Sequence, residues 1–281
     1  MSDPAVAVLL ADEPARPMPR LDTKKLGVVA LRTVSILLFF AIWAGFSFAN
    51  ARYLKFFNPI LMPSPLDVLR TGIELTKSGE LQSDILASLS RVLQGFVIAA
   101  FLGVSLGMAV GRSPFLESLL DPMLELLRPI PPLAFLPMMV LWFGIGEASK
   151  IAFIAYAAFF PIFTTTLEGI KYVDPLLLRA AASLGANRRD MFRYVVLPAA
   201  MPGIITGLRL GFGLSFFVIV AAEFIAADSG LGYLINDART FFLVSQMLLG
   251  AAVIGLIGFT FNRLLRMLEA RLLRWRKTAW N

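Results

Sequence analysis

The chain has 281 residues, 58% hydrophobic and 16% charged, with a mean hydropathy of +0.75 and a net charge of +7. Soluble domains carry about 45–50% apolar and about 25% charged residues, so a soluble globular enzyme is excluded. The absence of Cys and His removes disulfides, thiol nucleophiles, the usual zinc sites and the commonest general base.

No G-x-x-x-x-G-K-S/T phosphate loop is present, so ATP hydrolysis by this chain is not expected. The positive charge reads as basic membrane-protein loops, and no nucleic-acid partner is expected. Length suits one polytopic bundle, since six spans of about 20 residues occupy about 120.

Residues 1–26 begin with Pro4, Pro14, Pro17 and Pro19 among acidic and small residues and predict a disordered cytoplasmic tail. The short apolar run Ala5–Ala11 lacks the basic flank of a cleavable signal. A first span over Val28–Ala49, behind Lys24 and Lys25, reads as an uncleaved anchor. With the external loop that follows, it forms a unit over 27–83. In that loop the sequence predicts an amphipathic helix on the outer surface from Pro65 to Ser78.

Further spans are predicted at Val92–Val110, Pro122–Phe143, Ile151–Leu167, Gly203–Ala226 and Leu243–Asn262. The run Arg128-Pro129-Ile130-Pro131-Pro132 removes backbone donors and must kink or break the third. With the N-terminus inside, most of the 26 Lys and Arg fall on cytoplasmic segments, which predicts both termini inside. In this count Arg91, Lys150 and Arg239 are external loop residues. The fold class is therefore all-α: a helical membrane bundle of about six spans.

Gly95, Ala99, Gly103, Gly107 and Gly111 recur every four residues in the second span, as do Gly203, Gly207 and Gly211 in the fifth. Small residues at this spacing share a helix face and let two backbones approach closely. Spacing leaves open whether the partner helix lies in the same chain or a second copy.

The segment 172–202 is too polar to span. Asp174-Pro175 predicts a capped helix start, Gly185 a C-terminal cap, and Asn187 the cap of a second short helix, Arg188–Val196, ended by Pro198. The result is a cytoplasmic helical hairpin with an apolar ridge. It suits a groove on a soluble partner, or it lies on the membrane surface.

Here the residues carry a resemblance. Ala180-Ala181, then Gly185, then Val195-x-Leu197-Pro198 is similar to the EAA loop of type I ABC importer permeases: E-A-A, three residues, G, nine residues, an aliphatic, one residue, L-P. Arg179 stands where that pattern has Glu, which weakens one contact and leaves the rest in register. Pro63-Ser64-Pro65, the stretch Arg128 to Lys150, and Ala221 to Leu234 resemble the nitrate/sulfonate/taurine/bicarbonate branch, and the taurine permeases in it most. The resemblance covers about residues 60–265.

It implies a type I transmembrane domain over 84–266 and a basic cytoplasmic tail over 267–281. It also implies a homodimer of permeases in the cell inner membrane, a dimeric ABC ATPase on the cytoplasmic face, and a periplasmic or lipid-anchored substrate-binding protein. The implied cargo is taurine or another sulfonate, with nitrate, bicarbonate, and aromatic or vitamin-precursor substrates as alternatives. ATP and Mg would be bound by the partner ATPase, with no cofactor and no metal in this chain. Arg179, Ala180, Ala181, Gly185, Val195, Leu197 and Pro198 would couple the two proteins.

An ionisable group within a span is a functional candidate by default. Arg128 either attracts an anionic cargo or snorkels to headgroups. Glu223 pairs with a base, lines the exit, or marks the interface. Glu147 and Lys150 read as members of a solvated turn, or as contacts for a docking protein. The run from Arg263 to Lys277 reads as an anchor at anionic lipid, or as an ATPase contact. No catalytic residue is expected. A membrane enzyme would need paired carboxylates at one level, and none is evident; an ion-coupled transporter would show inverted repeats.

Overall fold

The computed structural model describes residues 23–273, helical almost throughout and without a strand among them. Among the described residues five helices are long and apolar enough to cross a membrane, or six spans if one bent pair counts as a span. The tail up to Asp22 and the basic residues Arg274, Arg276 and Lys277 lie outside the described residues. Backbone contacts divide the chain between Pro59 and Ile60.

In the first unit, α1 (Thr23–Ala49) runs into a π-helical turn, Asn50–Leu54. The buried Asn50 side chain closes that turn, donating to the Phe57 carbonyl at 2.9 Å and accepting from the Phe57 amide at 3.0 Å. Leu37, Leu38, Phe39 and Ile42 are exposed on α1, as lipid-facing side chains are.

The second unit opens with α2 (Pro65–Ser78), at the predicted bounds. Its start is a capping box: the Asp67 amide donates to Ser64 Oγ and the Ser64 amide to Asp67 Oδ2 at 2.9 Å. Gly79, at φ 85°, ends it in the left-handed region. Val68 and Leu75 are buried, and Gly72 abuts Leu249, so the helix lies on protein along one face.

Then follow α3 (Glu80–Arg112), α4 (Pro114–Leu127), α5 (Pro132–Phe143) and α6 (Glu147–Lys171). The predicted third span is two helices, α4 and α5, bent by 99° at Arg128–Pro131, because the prolines there break the hydrogen-bond ladder. After α7 (Pro175–Ser183), a single turn Arg188–Asp190 and a π-helical stretch Met191–Val196 lead into α8 (Leu197–Ala226). α9 (Leu231–Thr240) and α10 (Val244–Leu272) complete the unit. α10 outruns the predicted span, so Arg263, Arg266 and Arg271 ride on a helix. Arg209 of α8 pairs with Glu269 of α10 at 2.9 Å.

The core sits around α6, where Phe153, Ile154, Ile162 and Phe163 are at most 1% exposed. Both glycine ladders face this one helix. A Cβ on Gly95 would meet Ile154, one on Gly107 would meet Thr166, and one on Gly111 would meet Ile170. On the other flank Gly203, Gly207 and Gly211 lie against Gly169, Ile162 and Ala158. The partner of both ladders is thus in the same chain. The order of these contacts makes α3 and α6 parallel and α8 antiparallel to both.

Candidate functional site

Two ends of this three-helix core differ in chemistry. One end carries the C-termini of α3 and α6 and the hairpin 172–196. The other carries the N-termini of α3 and α6, the C-terminus of α8, and α9.

At the hairpin end Asp174 caps α7, accepting from the Leu176 amide at 2.8 Å, with Pro175 at the first helical position. The helix closes as a Schellman turn: the Gly185 amide donates to the Ala182 carbonyl and the Ala186 amide to the Ala181 carbonyl. Gly185 sits at φ 80°, a conformation that costs a side-chain-bearing residue free energy. Asn187 then accepts from the Arg189 and Asp190 amides, both at 2.9 Å.

Leu176, Leu177 and Leu184 are exposed, the last at 89%. Arg179 and Ala180 are exposed beside them; Ala181, Val195, Leu197 and Pro198 are half-buried. Pro198 does not end the second helix, as the sequence predicted. The Leu197 amide bonds back to the Phe192 carbonyl, a wider π-type turn. The extra backbone in that turn makes room for the proline ring. The Arg112 guanidinium stacks 4.0 Å above the Phe192 ring, joining the end of α3 to the hairpin.

At the other end lies a buried ionic cluster that the sequence did not reveal. Arg91, taken as an external loop residue, is 2% exposed on α3. Its Nε and Nη2 grip both oxygens of Glu147 at 2.6 and 2.7 Å. Its Nη1 donates to Glu223 Oε1 at 2.7 Å and to the Ser229 carbonyl at 2.6 Å, and Nη2 reaches Ser229 Oγ at 3.0 Å. All five N–H donors are used.

Glu223 is 1% exposed and also accepts from Ser88 Oγ and from the Gly232 amide at 2.7 Å. Of the readings open for it, pairing with a base is the one seen. Asp84 accepts from the Gly230 amide and Ser88 from the Leu231 amide, both at 2.8 Å. Three side chains thereby satisfy the first amides of α9. Gly230, at φ 115°, leaves no room for a Cβ, which would fall on the Glu223 carboxylate.

Glu147 and Lys150 are not members of a solvated turn. They open α6, with Lys150 2% exposed and its Nζ 3.0 Å from Glu147 Oε1. Of the charged side chains in the cluster Glu147 is the exposed one, at 55%. Asp84, Glu147 and Glu223 bring three carboxylates to one level, contrary to expectation. They are held by cations and amides, because a buried charge persists only when paired and hydrogen-bonded. Arg128 stands apart from this cluster, exposed in the bend between α4 and α5.

Known proteins are similar to this chain in sequence and in fold. The family described as the inner membrane component of binding-protein-dependent transport systems matches residues 85–274. The taurine transport system permease protein TauC of Escherichia coli is 42% identical over 227 residues, 79% of this chain and 82% of TauC. The nitrate import permease protein NrtB of Synechocystis is 36% identical over 219 residues, 74% of this chain and 79% of NrtB. A crystal structure of an amino acid ABC transporter superposes with a TM-score of 0.58 at 21% identity, covering 70% of this chain and 96% of that one. Two thirds of the chain fall within the family match, and the bundle agrees with it: this protein belongs to the inner membrane components of binding-protein-dependent transport systems.

Proposed function

We propose that the chain is the permease subunit of an ATP-driven importer of a small oxyanion, with taurine or another sulfonate as cargo. A separate ATPase dimer supplies the energy, and a binding protein delivers cargo from outside. Two copies line the route, and both termini lie in the cytoplasm.

The observation that carries this reading is the hairpin. It is short, capped at both starts and closed by a left-handed glycine, and it presents Leu176, Leu177 and Leu184 to solvent. An exposed apolar ridge on a rigid support suits the groove of a soluble partner. Arg179, Ala180, Ala181 and Gly185 form its tip, while Val195, Leu197 and Pro198 join it to α8. Movement of the ATPase reaches the bundle through this lever and through the Arg112–Phe192 contact. The cargo class follows the 42% identity with TauC. The likeness to NrtB favours nitrate as the second reading.

Uptake into proteoliposomes holding this permease and its ATPase, with the binding protein outside, tests the proposal. Taurine or an alkanesulfonate is expected to accumulate only with ATP inside. Accumulation of nitrate alone would move the cargo to the second reading. Uptake driven by an ion gradient without ATP would sink the importer reading.

A further inference from the structure

The ionic cluster at the end away from the hairpin contains two cations and one replaceable anion. Arg91 and Lys150 are each at most 3% exposed at the side chain, and both point their donors at the same carboxylate, Glu147, which is 55% exposed. Among the described residues, Glu147 is the one partner of the Lys150 ammonium. Arg91, by contrast, keeps Glu223, Ser229 Oγ and the Ser229 carbonyl whatever Glu147 does.

Removal of Glu147 therefore leaves a fixed set of donors behind. Arg91 Nε, one Arg91 Nη2 hydrogen and Lys150 Nζ would face one vacated position. Arg91 keeps Glu223 as its counter-ion and Asp84 faces the Gly230 amide, so Lys150 loses the one carboxylate within ion-pair distance of it. A buried ammonium without a partner is unfavourable, so the position favours Glu147 or another anion. The start of α6 adds to this preference: no side chain caps it at Gly146, and its first amides face the same region. Glu147 also follows Gly144-Ile145-Gly146, where Gly144 is at φ 80°, a turn able to swing the first residue of α6.

We propose that Arg91 and Lys150 form an oxyanion subsite on the cargo route, and that the Glu147 carboxylate is its resident occupant, exchanged for the oxyanion of arriving cargo. A guanidinium fork beside an ammonium matches two or three oxygens of a sulfonate, carboxylate or nitrate. Glu223 is not the exchanging group: it is sealed from solvent and held by Ser88, Arg91 and Gly232 together. The cargo class rests on the importer reading above; the existence of the subsite does not.

The test uses the full chain in nanodiscs, followed by intrinsic tryptophan fluorescence on heating. Methanesulfonate is the probe, with chloride at equal ionic strength as control. Glu147→Ala is expected to melt lower than wild type in chloride and to be restored saturably by methanesulfonate. The probe's apparent affinity should be about tenfold or more tighter than for wild type, whose own carboxylate competes. Glu147→Gln serves the same purpose if the alanine variant does not fold. Lys150→Met in the Glu147→Ala background is expected to abolish the rescue.

Absence of saturable rescue in both Glu147 variants would overturn the subsite. In the reconstituted importer, Glu147→Gln is expected to change KM for cargo more than kcat, and an unchanged KM would overturn its place on the route. Failure of the wild-type importer to move any oxyanion would instead count against the importer reading, while the rescue experiment still decides the subsite.

Discussion

Arg91 shows how one side chain holds distant elements together. Its guanidinium joins α3 to α6 through Glu147, to α8 through Glu223, and to the segment before α9 through Ser229. Arg91→Ala leaves Glu223 buried without its cation, and such a loss costs about 3–5 kcal/mol. The expected outcome is a sharply lower melting temperature and folded yield. Arg91→Lys keeps the charge but cannot form the fork, and should fall between the two. At the other end Gly185 is the residue on which the proposed coupling depends. Gly185→Val forces a β-branched side chain into φ 80°. Membrane-inserted protein at near-normal levels with ATP-driven uptake abolished is the expected result, measured by immunoblot and proteoliposome transport. Normal uptake would remove the hairpin from the coupling path.

Single elements are governed by local signals and by the space their neighbours leave. The start of α2 depends on Asp67, whose carboxyl is held below the usual carboxylate range by hydrogen bonds from the Ser64 hydroxyl and amide. A depressed folded-state pKa stabilises the helix start at pH above the ordinary Asp value, and the effect fades as pH falls through the folded value. Hydrogen exchange, corrected for intrinsic rates, should show the first α2 amides protected at neutral pH and opening in acid. Asp67→Asn should remove most of that dependence. Between α3 and α6 the limit is steric. A Cβ on Gly107 would lie 2.8 Å from Thr166 Cβ, whereas Gly213 on α8 has open space. Gly107→Ala is expected to destabilise by about 1–3 kcal/mol through overpacking, and Gly213→Ala to leave the monomer's melting temperature unchanged. Equal effects would contradict this packing.

Over the whole molecule, the core brings two unlike ends into fixed relation. α3 passes the full depth, with Arg91 in the ionic cluster and Arg112 stacked on the hairpin. A shift of the hairpin therefore bears on the same helix that holds the cluster. The proposed orientation puts the hairpin in the cytoplasm and Glu80 outside. The native chain lacks cysteine, so single substitutions report cleanly. Ser183→Cys should react with a membrane-impermeant maleimide only in inverted vesicles, and Glu80→Cys only in intact spheroplasts. The reverse pattern would invert the topology.

Legible in the residue order were features set within a few residues: apolar stretches of span length, the amphipathic helix from Pro65 to Ser78, the Asp174-Pro175 start, the Gly185 stop, and the proline break after Arg128. Each depends on backbone donors, φ limits or transfer from water, which act locally. The ten-residue α9 escaped this reading because it is too short to span and its burial is supplied by other helices. The register of the glycine ladders was legible, but their common partner, α6, was not. That Arg91 and Lys150 are interior charges follows from contacts between helices far apart along the chain. Arg91 and Glu223 are 132 residues apart and Arg91 and Glu147 are 56 apart. No local pattern marks a basic residue near a span's end as buried when the carboxylates that neutralise it arrive on other helices. The same distance explains why Glu223 alone suggested several roles, and why its pairing with Arg91, Ser88 and Gly232 appears only in the folded chain.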